Sequence, residues 1–212
     1  MTTWTHALRT ELTSLAHRRP LFHSEADFQH ELAWQLQSTG LADKVRLELP
    51  VHTDEGVMNL DLLAVRDGLR VAIELKYWKR AMEHTQDGEV FSLKNQGAHD
   101  LSRYDFWKDV WRLETMLDED KADLGIAVTL TNDPGYWRPS TGGTIDDAFR
   151  LHPKRPPVTG QLNWTAKAGK GTIKGREELK VRGVYPLAWR HYSRPQPEHE
   201  FRYLMLPVKK VR

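Results

Sequence analysis

Two apolar runs joined by Asp67-Gly68 constrain what this chain can fold into more than any other stretch. From Asn59 to Lys76 the sequence reads NLDLLAVRDGLRVAIELK. An Asp-Gly pair between alternating hydrophobic runs is a strong hairpin signal, because both central residues of a type I′ turn need positive φ. With 67 and 68 in the turn, the register follows: Arg66 faces Leu69, Leu63 faces Ala72, and Asp61 faces Glu74. Directly opposed residues lie about 5 Å apart at Cβ, and like charges there are destabilising unless something positive lies between them. Lys76 falls on the face of Glu74, one step further along. Two acids and a lysine at the open end of a hairpin suggest a site for Mg²⁺ or Mn²⁺.

The remaining length bounds the context. A chain of 212 residues is long enough for one well-filled core with an appended subdomain, and too short for two large domains. With 39% hydrophobic and 28% charged residues it has the composition of a folded protein. No apolar run is long enough to span a bilayer, and the start MTTWTH lacks the apolar core of a signal peptide, so the expectation is a cytoplasmic chain without a membrane partner. The absence of cysteine excludes disulfides, thiolate catalysis and cysteine-bound zinc. The formal charge of +2 hides an asymmetry: residues 150–212 carry fifteen Lys/Arg against four Asp/Glu, while residues 1–149 carry sixteen against twenty-five. Charge separated this way suggests a polyanionic partner, most commonly nucleic acid, with a merely solvated basic surface as the bland alternative.

Along the chain, Trp4, Leu8, Leu12 and Leu15 predict a first helix over 3–17. A second helix is expected from an N-cap at Ser24 to about Ser38, with Glu25 and Asp27 complementing its positive end. Phe28, Leu32 and Leu36 share one arc of that helix, and Glu25 projects into its middle while Glu31 falls to one side. Periodicity alone leaves Glu25 open between a dipole-complementing residue and an inward-facing site acid. A strand is expected over 44–49, then the hairpin strands over 57–65 and 69–77, a polar loop over 79–89, one long helix over 92–117 and a buried strand over 125–131. Residues 135–180 are rich in Gly, Pro, Thr and Lys and predict loops around short strands, with strands over 161–165, 181–187 and 201–208.

The order helix, three strands, helix, strand, with an acid in the second strand and Glu-X-Lys in the third, resembles the PD-(D/E)XK nuclease superfamily over residues 22–131. The motif stands as Asn59-Leu60-Asp61 followed by Glu74-Leu75-Lys76, so the proline before the first acid is missing. The resemblance implies an α/β, restriction-endonuclease-like αβββαβ core with a mixed central sheet flanked by helices. On that basis residues 1–134 form the core and 135–212 a basic, Trp-containing β and loop extension packed on it. The resemblance further implies that Asp61, Glu74 and the backbone carbonyl of Leu75 ligate Mg²⁺ or Mn²⁺, and that Lys76 positions the attacking water or stabilises the oxyanion. A helix acid would complete the set, Glu25 by face with Glu31 in reserve. In some branches a glutamine on the helix after the third strand sits beside the site, and Gln96 occupies a comparable place, with Asp100 and Arg103 on its face, an ordinary surface glutamine being the alternative.

Lys154, Arg155, Lys167, Lys170, Lys174 and Arg176 lie in Gly/Pro-rich sequence suited to following a phosphate backbone, with Trp137 and Trp164 as candidate stacking surfaces. The expected function is Mg²⁺-dependent phosphodiester hydrolysis, with DNA the favoured substrate. The alternatives are a non-catalytic nucleic-acid-binding protein on the same fold, and an unrelated α/β protein with an ionic hairpin. The oligomeric state, homodimer included, is left open.

Overall fold

At the turn, Asp67 and Gly68 both take positive φ, 49° and 79°, as the type I′ geometry requires. They join β2 (Gly56–Arg66) to β3 (Leu69–Trp78) in the expected register, with Arg66 opposite Leu69 and Leu63 opposite Ala72. The computed structural model describes residues 2–140 and 143–211. Among them, helices α1 (Thr2–Arg18) and α2 (Glu25–Ser38) precede β1 (Lys44–Thr53) and the β2–β3 hairpin. Ser24 caps α2, its hydroxyl accepting from the Asp27 amide at 3.1 Å. Next come the small hairpin β4 (Met82–Gln86) and β5 (Glu89–Leu93), helix α3 (His99–Asp118) and strand β6 (Leu124–Thr131). The remainder holds β7 (Val158–Leu162), the single turn α4 (Lys170–Ile173), β8 (Leu179–Tyr185), β9 (Trp189–Gln196) and β10 (His199–Val208).

Among the described residues, six strands form one mixed sheet in the order β1-β2-β3-β6-β10-β9. β3 and β6 run parallel, joined across α3, and the other neighbours are antiparallel. The architecture is therefore α/β with helices on both faces of a mixed sheet. α1 and α2 cover one face over Leu62, Ala64, Ile73, Leu75, Ile126 and Val128. α3 covers the other, where Ala72, Trp78, Ala127, Leu204 and Leu206 meet its residues Trp107, Val110 and Leu113. No helix of the described residues is long and apolar enough to cross a membrane.

Three expectations are corrected. The stretch 79–98 is not a loop running into a long helix: β4 and β5 form a two-stranded sheet turning at Asp87-Gly88, and α3 begins only at His99, after Ala98 at φ 57°. Residues 189–208 are not an extension laid on a finished core, because β10 pairs with β6 and β9 closes that side of the central sheet. A boundary at 134 therefore divides one sheet. The part of the tail that does stand apart is the β7–β8 pair, which packs Leu162, Leu179 and Val181 into the α3 side of the core.

Side chains two apart on a strand normally share a face. β1 and β2 obey this only in halves. Val45 and Leu47 pack with the α1–α2 side, whereas Leu49 and Val51 pack with the α3 side. In β2, Leu62 and Ala64 lie on the first side and Met58 and Leu60 on the second. The switch falls at Glu48 and Asp61, where the ladder is interrupted between Leu47↔Leu62 and Leu49↔Leu60. Glu48 takes φ 49° there, a left-handed conformation that non-glycine residues rarely adopt inside a strand. The paired strands thus twist together at one level, and their far ends swing over α3.

Candidate active site

The twist opens the edge of β3. Pairing of β2 with β3 ends at Leu62↔Ile73, so the amides beyond it need other acceptors. Side-chain carboxylates supply them: the Leu75 amide donates to Asp61 Oδ2 at 2.6 Å, and the Tyr77 amide donates to Glu25 Oε2 at 2.8 Å. The expected opposition of Asp61 and Glu74 as ladder partners is corrected, since two acids side by side repel and Asp61 turns its carboxylate to a main-chain donor instead. The displaced part of β2 is held by helices. Gln29 of α2 donates to Asp61 O and to Glu48 Oε1, both at 2.7 Å, and Arg112 of α3 donates to Asn59 O.

Glu74 and Lys76 point to the α3 side and meet two residues that the sequence reading did not single out. Lys76 Nζ lies 2.9 Å from Asp109 Oδ2 and donates to the Leu75 carbonyl at 3.1 Å. Arg112 lies 3.3 Å from Glu74 Oε1 and donates from Nη1 to Asp109 Oδ1 at 3.2 Å. The available signal was a row of polar residues, Asp105, Asp109 and Arg112, spaced four and three apart along α3 and so sharing one side of it.

Four carboxylates, from Glu25, Asp61, Glu74 and Asp109, therefore share a partly dry cleft with two cations. Burial pushes Glu74 well above the usual carboxylate range, reinforced by Asp109 and Asp61 and opposed by Arg112 and Lys76. Burial likewise raises Glu25 and Asp109. Burial alone lowers Lys76, but Asp109, Glu25 and Asp61 outweigh it and hold the ammonium charged well above its ordinary range.

Glu74 and Glu114 make an instructive contrast, each 1% exposed. Glu114 accepts from the amides of Arg182 and Gly183 at 2.9 and 2.8 Å and from the Tyr185 hydroxyl at 2.6 Å. It is a structural acid that fastens β8 to α3. Glu74 has neither oxygen hydrogen-bonded, which a buried carboxylate tolerates poorly. Asp61 and Glu25 each use one oxygen on a β3 amide, and among the described residues the other makes no hydrogen bond. No three His, Asp or Glu among the described residues are drawn close enough to hold a metal ion as they stand. The donor set nevertheless consists of the hard oxygens that Mg²⁺ takes, and the buried Glu74 carboxylate, without a hydrogen bond to either oxygen, has both free to ligate such an ion.

The other candidates separate clearly. Glu31 lies apart from the cleft, paired with Arg18 at 2.7 Å. Gln96 is an exposed loop residue before α3, so its expected place on a helix is corrected, and Arg103 is buried against Asp146. Arg155 is spent inside the fold, donating to the carbonyls of Asp147, Ala148 and Arg150. Lys154, Lys167, Lys170 and Lys174 are exposed. Arg176 and Lys76 both act on Asp105, which places the 164–176 segment beside α3 one helical turn from Asp109. Trp164 anchors that segment, stacked on Tyr104 at 5.6 Å and donating to Arg176 O, and Trp137 carries the Arg202 guanidinium over its ring, so each ring is partly engaged within the protein. No family model, curated protein or solved structure matches the chain.

Proposed function

We propose that the chain is a Mg²⁺- or Mn²⁺-dependent phosphodiesterase acting on nucleic acid, with DNA as the favoured substrate, on a restriction-endonuclease-like core of the PD-(D/E)XK kind. The observation that carries this is the Glu74 carboxylate, buried without a hydrogen bond beside Asp61, Glu25 and a charged Lys76. A structural acid in the same protein, Glu114, has every donor it needs. Support comes also from the element order, with α2, β1, β2, β3, α3 and β6 arranged as the resemblance implies and the acids at the point where β2 leaves β3.

In this reading Asp61, Glu74 and the Leu75 carbonyl hold the ion, with Glu25 as the helix acid. A bound divalent ion lowers the pKa of its water and offsets charge on the phosphoryl group. Lys76, kept protonated by Asp109, donates to the oxygen on which charge develops. Asp109 fixes the direction of that ammonium from α3. The exposed lysines of 167–174 supply phosphate contacts, which give affinity without sequence preference.

The test is nicking of supercoiled plasmid, with single-stranded and branched oligonucleotides in parallel, in Mg²⁺ and in Mn²⁺. The wild type is expected to cut, and Asp61→Asn, Glu74→Gln and Lys76→Met to lose about a hundredfold or more of the rate. No cutting of any substrate with either ion would sink the proposal. A second reading, a non-catalytic nucleic-acid-binding protein, is favoured by the carboxylates not being drawn together. It predicts salt-sensitive binding that survives all three substitutions.

A further inference from the structure

The carboxylate cleft contains a cation that its proposed chemistry does not need. Lys76 is committed to Asp109 and the Leu75 carbonyl, at 2.9 and 3.1 Å. Among the described residues, the ion pair of Glu74 is with Arg112 at 3.3 Å, and it is a contact without an aligned hydrogen bond. The donors of Arg112 point elsewhere, to Asp109 Oδ1 at 3.2 Å and to the Asn59 carbonyl. Arg112 is thus tied down by an acid of its own helix and by the strand carrying Asp61. Its charge reaches Glu74 while its hydrogen bonds are used to fix its position.

We propose that Arg112 is the built-in counter-cation of the carboxylate cleft, and that it sets how tightly the cleft takes a divalent ion. This rests on the reading of the cleft as an ion site and deepens it. Four carboxylates face two cations there, so removal of Arg112 leaves Lys76 alone against all four. An entering dication therefore meets a fixed positive charge a few ångströms from Glu74, at a range and burial where Coulomb repulsion is far stronger than in water. The same charge explains how Glu74 stays buried without hydrogen bonds when no ion is bound. The device makes ion binding weaker and more easily reversed.

The experiment is direct Mn²⁺ binding to the full chain without nucleic acid, with free ion measured by electron paramagnetic resonance. Arg112→Gln is expected to bind Mn²⁺ about tenfold or more tightly than wild type, and Arg112→Lys to stay near wild type, because it keeps the charge. Equal or weaker binding by Arg112→Gln, or binding by Arg112→Lys as tight as by Arg112→Gln, overturns the proposal. Arg112→His provides a version that does not depend on Arg112→Gln folding. Its affinity relative to wild type should be near one at about pH 5.5, where the imidazole is charged, and rise severalfold by about pH 8. A ratio that stays at one at both pH values overturns the proposal as well. The two levels separate through Glu74→Gln. Wild-type binding that is lost in Glu74→Gln but not tightened in Arg112→Gln removes only the role of Arg112. Absence of Mn²⁺ binding to the wild type removes the ion site and Arg112 with it.

Discussion

At the scale of the residue, Glu74 and Glu114 show that burial alone says little about what an acid does, whereas its partners say a great deal. Glu114 has its donors, but Glu74 has only the fields of Arg112 and Lys76, so burial and its acidic neighbours raise its pKa. The folded state then holds a proton that the unfolded state has released, and stability must fall as pH rises above the ordinary carboxylate value of 4.5 toward the raised folded value. Glu74→Gln removes this titration. In the presence of a chelator, the stability of wild type minus that of Glu74→Gln is expected to decline from about pH 4.5 upward, read from urea melts across the range. A difference that is flat with pH would mean that Glu74 titrates normally. The β2–β3 hairpin was legible because a two-residue turn converts sequence spacing into register, but the opposition of Asp61 and Glu74 that this register implied was not met, because the ladder ends at Leu62↔Ile73. Asp109 and Arg112 were not legible, because no local rule relates position 112 of a helix to position 74 of a strand. Their polar row along α3 pointed to a special face without saying what it met.

At the scale of the element, the cleft exists because β1 and β2 change faces at Glu48 and Asp61. A sequence that alternates cleanly through Val45, Leu47, Leu49 and Val51 gives no sign of that change, since the parity of the apolar residues never breaks. The reason is conformational: one residue at positive φ rotates the strand while the pattern runs on. The left-handed conformation costs a residue with a Cβ about 1–2 kcal/mol, and glycine much less. Glu48→Ala and Glu48→Gly both lose the bond to Gln29, so comparing them isolates the backbone. Glu48→Gly is expected to be more stable than Glu48→Ala by about 1 kcal/mol in denaturant melts, against the usual penalty for glycine in a strand. If alanine proves the more stable, the left-handed kink is not what turns these strands. The β4–β5 hairpin was missed for the complementary reason. Asp87-Gly88 repeats the turn signal of Asp67-Gly68, with φ of 52° and 83°, but the run before it, Glu83 to Gln86, is polar, so the pair lacks the two alternating apolar flanks that give it its meaning. Leu93 was then absorbed into the periodicity of α3, although it belongs with Phe91 to the core on the opposite side of the sheet.

At the scale of the molecule, the charge split of the sequence holds but must be divided. Much of the positive tail is consumed within the fold: Arg150 pairs with Asp146, Arg182 with Glu114 and Asp118, Arg194 and Arg202 with Glu200, and Lys210 with Asp120. Arg155 is likewise occupied by three carbonyls. Lys167, Lys170 and Lys174 are exposed, with no ion pair among the described residues, on the segment that Trp164 anchors beside α3. Charge counting could not distinguish these groups, because pairing depends on which acids the fold brings near. Any polyanion would therefore meet fewer free cations than the composition suggests, and three of the free ones, Lys167, Lys170 and Lys174, sit together on the segment beside α3. Each phosphate neutralised on duplex DNA contributes about 0.9 to the slope of log affinity against log salt. Replacing Lys167, Lys170 and Lys174 together by alanine is expected to reduce that slope by about 2–3, as measured by anisotropy of labelled duplex at several salt concentrations. Arg155→Ala should leave the slope unchanged and lower the melting temperature instead, since it strips a donor from three carbonyls without removing a free surface charge. The reverse result, an unaltered slope in the triple variant and a reduced one in Arg155→Ala, would place the nucleic acid on a different surface from the one that runs past Asp105 to Lys76.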